Sequence, residues 1–295
     1  MDASPRVVGF LGPEGTFSQE AALLYRKRLL PGIEVEYRQA ASILELILAA
    51  AEERIDEAVV PLENSLEGSV ALTLDMLAHE VDLKMAAEII ISVRHCLLGQ
   101  PGTDFSQIQK VISHPQALAQ CRGYLRKRLP KAELIAASST AEAARLVASA
   151  NGLIAAIGTT TAADVYGLSI LASDVQDNQD NATRFCVLAR DDSQATGDDK
   201  TSIVFSPREN RAGILYEQLC AFASRNIDLT RIESRPAKRV LGEYLFFVDL
   251  IGHRTKPQLA AALQVVAENS SFFRLLGSYP RWREISVMSS DLAHQ

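Results

Sequence analysis

The chain has 295 residues, of which 47% are hydrophobic and 22% charged, a composition typical of a globular protein with room for roughly two domains. Its formal net charge of -6 leaves no excess of positive charge for a phosphate backbone, so nucleic acid is not expected as a partner. The first residues lack the basic and apolar regions of a signal peptide, and no run reaches the roughly 18 apolar residues of a membrane span. The sequence therefore predicts a cytoplasmic protein with no membrane partner.

Short apolar strands alternate with helical segments through the first region of the chain. The predicted strand and helix pairs are 6–10 with 18–29, 33–37 with 42–54, and 57–62 with 68–79. A long apolar strand at 87–99 comes next, followed by 110–114 with 115–129, 133–137 with 140–152, and a strand at 153–159. Ser42 with Glu45 and Ser139 with Glu142 fit capping boxes, and Pro115 suits a first helical position. This rhythm predicts two α/β lobes within residues 1–190.

A polar segment, RDDSQATGDDK, interrupts the pattern and predicts a linker at 191–200. Beyond it the predicted order is strand 201–206, helix 212–225, strands 227–236 and 243–252, helix 256–269 and a strand near 273–280. This order indicates a ferredoxin-like βαββαβ domain at 201–280, followed by a tail at 281–295.

Four loops of the first region are polar where ligands gather in open α/β sheets, at the ends of strands. GPEGTFSQ presents Thr16 and free backbone amides at a helix start, where an anion can bind. PLENSLEGS presents Asn64, and SHPQALAQ presents Ser113 at a strand end and Gln120 on the next helix. In NATRFC, Thr183 stands at the mouth of an apolar strand.

Each of these loops taken alone has an ordinary structural explanation. They fit a glycine turn with a helix cap, an Asx turn, a structural His114, and a strand start in which Arg184 pairs with a carboxylate. The sequence has no Ser-His-Asp set, no metal-spaced histidine pair and no CxxC among its four cysteines. No cofactor and no metal site is therefore predicted.

The four motifs in this order, together with IESRPAKRVLGEYLFFVDLIGH in the second region, resemble the prephenate dehydratases that carry a C-terminal ACT regulatory domain. The resemblance runs nearly end to end. It implies a two-lobed, periplasmic-binding-protein-like catalytic region at 1–190, with the active site in the cleft between the lobes, and an ACT domain at 201–280.

The resemblance also implies which residues act in the site. Thr183 would donate to the departing ring hydroxyl of prephenate, while the source of the proton and the role of Glu63 stay open. The residues implied in substrate binding are Thr16, Asn64, Ser65, Ser113, Gln120, Arg184 and Phe185, with the Arg184 fork suited to a carboxylate.

For the second region the resemblance implies an L-phenylalanine site between paired ACT domains, and hence a homodimer or homotetramer. Its residues would be Gly213, Leu215, Asp228, Glu233, Ser234, Arg235 and Pro236. The chain departs from the family at Ile214, where relatives usually have Ala, and at Asp228, where they often have Asn. Two alternatives remain open: an arogenate dehydratase, and a non-catalytic two-lobed amino-acid sensor.

Overall fold

The computed structural model describes residues 5–150, 153–238 and 242–283. The first region folds into two α/β lobes, which confirms the predicted architecture. The first lobe contains β1 (Arg6–Leu11), α1 (Phe17–Leu29), β2 (Val35–Ala40), α2 (Ile43–Ala51), β3 (Glu57–Asn64), β4 (Gly68–Ser69), α3 (Ala71–Asp75), a π-helical turn (Met76–Glu80) and β5 (Lys84–Ser92).

The second lobe is a continuous stretch of chain. It contains β6 (Cys96–Gly99), a short 3₁₀ turn (Phe105–Gln107), β7 (Lys110–Ser113), α4 (Pro115–Gln120), α5 (Arg122–Arg128), β8 (Glu133–Ala136), α6 (Thr140–Ser149), β9 (Ile154–Gly158), α7 (Thr160–Tyr166) and β10 (Ser169–Ala172). Its sheet has the order β10-β6-β9-β7-β8.

The chain then returns to the first lobe through β11 (Ala182–Ala189). This strand lies between β3 and β5 and runs antiparallel to both, so the first sheet has the order β2-β1-β3-β11-β5. Two crossings, at residues 93–95 and 173–181, therefore join the lobes. A strand that enters from a second lobe into the middle of the first sheet gives the two-lobed, periplasmic-binding-protein-like arrangement.

The C-terminal domain has the predicted βαββαβ order. Its elements are β12 (Asp199–Pro207), α8 (Ile214–Ala223), β13 (Leu229–Pro236), β14 (Tyr244–Ile251), α9 (Pro257–Glu268) and β15 (Ser270–Pro280), in an antiparallel sheet of order β13-β14-β12-β15. One face of this sheet packs on α8 and α9 through residues such as Val248 and Leu250. The other face packs on the first lobe, where Phe247 and Leu276 share a core with Leu62.

Contact between this domain and the first lobe is close enough to depend on a glycine. Gly277 of β15 has φ +147°, and a Cβ atom there would overlap the backbone of Met85 in β5. The two sheets therefore approach each other backbone to backbone at this position.

Several predicted elements differ from those observed. The single strand at 87–99 is two strands, β5 and β6, which belong to different lobes. The helix at 68–79 is β4, α3 and the π-helical turn, and the helix at 115–129 breaks at Cys121. The sequence did not indicate α7 or β10. β12 begins at Asp199, inside the predicted linker, and most of the predicted tail lies outside the described residues.

Two further observations concern the part of the chain that the structure describes. No helix there combines the length and apolar character needed to cross a membrane. No three histidine, cysteine, aspartate or glutamate side chains gather there into a group that could hold a metal ion.

Candidate active site

A cavity of about 580 Å³ lies between the two lobes. The first lobe contributes Thr16, Asn64 and Thr183 to its wall, and the second contributes His114 and Gln120. All four polar loops singled out in the sequence therefore supply residues to one cleft, the third through His114 and through Gln120 of the helix that follows.

Thr183 and Asn64 lie opposite each other on neighbouring strands. Asn64 Nδ2 donates to Thr183 Oγ1 at 2.9 Å and to Asn181 Oδ1 at 3.0 Å. Asn64 Oδ1 accepts from the backbone amides of Leu66 and Glu67, which fixes the orientation of the side-chain amide. Because Thr183 Oγ1 accepts the bond from Asn64, its own hydroxyl hydrogen can be donated to a ligand in the cleft.

A second set of bonds connects the lobes. Gln120 Oε1 lies 3.3 Å from Asn181 Nδ2, which donates to it, and 3.0 Å from His95 Nε2. An oxygen that accepts from Asn181 also requires a donor at His95, so we assign the hydrogen of His95 to Nε2. Both hydrogens of the Gln120 amide then remain for a ligand.

His95 is almost fully buried, with 2% of its surface exposed, and packs edge-on against Phe17 at 5.6 Å between ring centroids. Burial lowers the pKa of His95, and its bond to Gln120 opposes this shift. The imidazole is therefore neutral near pH 7. His95 Nδ1 is buried and has no hydrogen-bond partner among the described residues.

The cleft wall also includes the beginnings of two helices. Thr16 caps α1, since its Oγ1 accepts from Gln19 N at 3.4 Å while donating to Leu11 O at 3.0 Å. Ser139 caps α6 in the same way, accepting from Glu142 N at 2.9 Å. Helix N-termini carry partial positive charge and free amides, so both favour an anion in the cleft.

Three expected substrate-binding residues, Ser113, Ser65 and Arg184, do not line the cleft. Ser113 is fully buried, and its Oγ donates to Ile157 O at 2.7 Å, which holds β7 to β9. Ser65 Oγ accepts from Ala182 N at 3.0 Å and lies 3.3 Å from Asn181 Oδ1, so it supports the second crossing. Phe185 does line the cleft, at the base of β11.

Arg184 requires a correction. Successive side chains of a strand point to opposite faces, so with Thr183 and Phe185 in the cleft Arg184 points behind it. Only 10% of its side chain is exposed, and it contacts Glu88 at 2.9 Å and Asp249 of β14 at 2.5 Å. In this structure Arg184 thus belongs to the contact with the C-terminal domain and does not line the cleft.

Glu63 faces the same way. It lies opposite Arg184 across the β3–β11 pairing, and its Oε2 is 3.3 Å from Arg231 Nε of β13. The carboxylate therefore pairs with the C-terminal domain and does not repel an anion from inside the cleft.

His95 and Asn181 were missed in the sequence because both lie in the crossings between the lobes. His95 stands within an apolar run that read as one continuous strand, and the break after Ser92 carries no glycine or proline. Asn181 had a usable signal, since it directly precedes the Thr183 motif in a polar loop.

The predicted effector residues occupy several different environments. Glu233 and Arg235 face the first lobe, where Glu233 accepts from Ser69 Oγ and Arg235 pairs with Asp75. Ser234 and Pro236 are exposed on the other side of β13. Gly213 caps α8 with φ +83°, Leu215 packs against the domain core, and Asp228 is exposed. Their role in effector binding stays a prediction.

The fold and the cleft define a two-lobed protein with a polar cleft between its lobes and a C-terminal ferredoxin-like domain. Residues 8–193 match the family model for prephenate dehydratase, and residues 208–268 match that for the ACT domain. The chain belongs to the prephenate dehydratase family and is a lyase.

Curated relatives cover nearly the whole chain. A bifunctional chorismate mutase/prephenate dehydratase of Neisseria gonorrhoeae is 43% identical over 94% of this chain and 75% of its own length. A prephenate dehydratase of Methanocaldococcus jannaschii is 40% identical over 91% of this chain and 96% of its own. Arogenate dehydratase 5 of Arabidopsis thaliana is 42% identical over 92% of this chain and 67% of its own.

Solved structures share the fold over the same length. A prephenate dehydratase of Arthrobacter aurescens in complex with L-Phe has a TM-score of 0.83 and 36% identity, covering 93% of this chain and 90% of its own. GqqA, described as a novel type of quorum quenching acylase, has a TM-score of 0.81 and 30% identity, covering 93% and 98%. The same fold therefore occurs under a different named activity, and the reaction has to be argued from the cleft.

Proposed function

We propose that this chain converts prephenate to phenylpyruvate and that L-phenylalanine regulates the conversion through the ACT domain. In the reaction the ring carboxylate leaves as carbon dioxide, its bonding electrons move into the ring, and the ring hydroxyl departs with a proton as water. Aromatisation drives the reaction, so the main obstacle is the departure of hydroxide.

The observation that carries the proposal is the Thr183–Asn64 pair in the cleft. Asn64 donates to Thr183 Oγ1 at 2.9 Å, which leaves the threonine hydroxyl hydrogen available for donation to a ligand in the cleft. A hydrogen bond to the departing oxygen strengthens as negative charge develops on it, which is how a positioned donor lowers a barrier. Threonine is too weak an acid to release its proton, so we assign it the role of donor and not of proton source.

The substrate carboxylates would be bound by neutral donors. Among the described residues that line the cleft, none is a lysine or an arginine. The free amide hydrogens of Gln120 and the N-termini of α1 and α6 are suited to anions at these positions. Neutral donors in a cleft that excludes water bind carboxylates without the desolvation cost of a buried cation.

The alternative substrate is arogenate, which has an amine where prephenate has a side-chain keto group. One relative, at 42% identity, is named an arogenate dehydratase, which supports arogenate as the alternative substrate. Among the described residues that line the cleft, Glu67 has the one carboxylate, and it could bind the ammonium group of arogenate. The reaction at the ring, and hence the role of Thr183, is the same for both substrates.

The test is turnover of each substrate by the purified protein after dialysis against a chelator. Formation of phenylpyruvate from prephenate, at a kcat/KM well above that for arogenate, supports the proposal. Preference for arogenate would replace it by the alternative, and turnover of neither would reject both. A Thr183→Ala sample prepared in parallel controls for contaminating activity.

A further inference from the structure

A network of charged side chains lies behind the active-site strand, between the first lobe and the ACT sheet. Arg184 of β11 contacts Glu88 of β5 at 2.9 Å and Asp249 of β14 at 2.5 Å. Its Nη2 donates to Tyr279 Oη at 2.8 Å. Glu88 also pairs with Lys200 at 2.9 Å, so this carboxylate has a second cationic partner.

The ACT side of this network is rigidly held. Asp249 Oδ1 accepts from Ser202 Oγ at 2.5 Å, and Ser202 Oγ lies 2.6 Å from Tyr279 Oη. All three side chains are buried and belong to the three neighbouring strands β14, β12 and β15. Burial alone would raise the pKa of Asp249, but the Arg184 and Arg231 guanidinium groups lower it below its usual value, so it is ionised.

The same network reaches Asn64 through its neighbour. Glu63 Oε2 lies 3.3 Å from Arg231 Nε and 3.8 Å from Arg184 Nη1. The β3–β11 register shifts between Arg184 and Phe185, so a bulge lies next to this pair, and Asn64, the residue after Glu63, faces the cleft. Thr183 and Asn64 thus each have an adjacent residue anchored on the ACT sheet.

We propose that Arg184 is a positioning residue for Thr183, and that Asp249 of the ACT domain acts through it. The inference rests on the proposed function. Adjacent Cα atoms of a strand are about 3.8 Å apart, so a displaced Arg184 moves the Thr183 backbone with it. A shift of about 1 Å at a catalytic group can cost about 100-fold in rate.

The test compares Arg184→Gln, Asp249→Asn and the double variant. Each single change leaves a buried charge without its partner, so both should lower the melting temperature. The double variant removes both charges and should recover part of the stability. Its kcat should stay at least tenfold below wild type and within about threefold of Arg184→Gln, while KM changes less, because the two residues act as one unit.

Two further variants keep the test sharp. Tyr279→Phe removes one acceptor from Arg184 without unbalancing the charges, and it should lower kcat by a smaller factor even if the single charge variants do not fold. Asp192→Asn is the matched control, since the Asp192–Arg254 pair at 2.7 Å also joins the segment between β11 and β12 to the ACT domain but does not touch β11. Its kcat should stay within about twofold of wild type.

Hydrogen exchange of the peptide that covers 182–188 provides a readout that needs no activity. In Arg184→Gln and in the double variant these amides should exchange faster than in wild type and in Asp192→Asn. A double variant with wild-type kcat and wild-type exchange overturns the inference. If wild-type protein turns over no substrate, the proposed function fails, and the exchange experiment alone decides the inference.

Discussion

At the scale of single residues, the cleft contains side-chain amides whose oxygen and nitrogen atoms have different roles. Asn64 and Gln120 each use their oxygen within the protein, where it accepts two hydrogen bonds. Because the oxygen accepts two hydrogen bonds, the orientation of the amide is fixed and the position of its NH₂ donor is defined. The NH₂ groups therefore have a defined direction before a ligand arrives, and catalysis requires donors of this kind that do not reorganise.

Thr183 should be tested by two substitutions. Thr183→Ala should lower kcat by about 100-fold or more and raise KM far less, because the lost bond is strongest in the transition state. Thr183→Ser retains the hydroxyl and should keep much of the activity. Steady-state kinetics on prephenate measure both values, and equal kcat in Thr183→Ala and wild type would remove this residue from the mechanism.

His95 should make the protein sensitive to acid. Burial lowers the pKa of His95 in the folded protein. At a pH below its ordinary pKa of about 6.5, the unfolded chain therefore binds a proton at this residue that the folded protein does not bind. The free energy of unfolding should therefore fall as the pH falls below about 6.5. His95→Gln keeps a donor at a similar reach but does not titrate, so urea unfolding at pH 7.5 and 5.5 should differ less in this variant.

Thr183 and Asn64, two residues expected in the site, lie on the cleft wall, whereas Arg184, also expected there, lies on the other side of the strand. A strand has a period of two, so Thr183 and Arg184 could not both point into the cleft, and this was available from the sequence. What the sequence could not supply was the partner, since Asp249 is 65 residues away in the chain. Contacts between domains leave no local pattern.

At the scale of elements, helix starts were the most predictable features. Ser42 and Ser139 cap α2 and α6 as expected, with bonds of 3.1 Å and 2.9 Å to the backbone amides of Glu45 and Glu142. Caps are local in sequence, so a four-residue pattern specifies them. By contrast, α7 was not indicated, and the break between β5 and β6 depends on which lobe each segment joins.

The two caps form a matched pair for mutagenesis. Ser42→Ala and Ser139→Ala should each lower the free energy of unfolding by about 1 kcal/mol, because each frees one backbone donor at a helix start. Only Ser139 lines the cleft, so only its replacement should also raise KM. Ser139→Thr keeps the cap and should restore both values. A raised KM in Ser42→Ala would show that the kinetic effect is general destabilisation.

At the scale of the whole molecule, the ACT sheet lies against the lobe that carries Thr183. Glu233 and Arg235 contact Ser69 and Asp75 next to the cleft, while Ser234 and Pro236 of the same strand face outward. A ligand bound on the outer side of β13 would therefore act on a strand whose inner side contacts the rim of the cleft. Binding on the outer side can therefore affect the cleft across the thickness of a single strand.

L-Phenylalanine should bind the protein and lower its activity. If binding and the state of the cleft are linked, phenylalanine changes the affinity for substrate by the same factor that substrate changes that for phenylalanine, and a coupling of about 1 to 3 kcal/mol gives roughly five- to 150-fold. Calorimetry and activity assays with L- and D-phenylalanine, on wild type and Asp228→Asn, measure this. If millimolar L-phenylalanine gave no binding heat and no inhibition, the ACT domain would have no regulatory role and would only support β11.

The position of β11 has a consequence for synthesis on the ribosome. This strand lies between β3 and β5, yet the ribosome makes it only after the whole second lobe. The second lobe is one continuous segment and can begin to fold as it emerges, whereas the first sheet exposes the edges of β3 and β5 until residue 189 has left the exit tunnel. The nascent chain should therefore gain its second lobe before its first, and the strand that bears Thr183 completes the first.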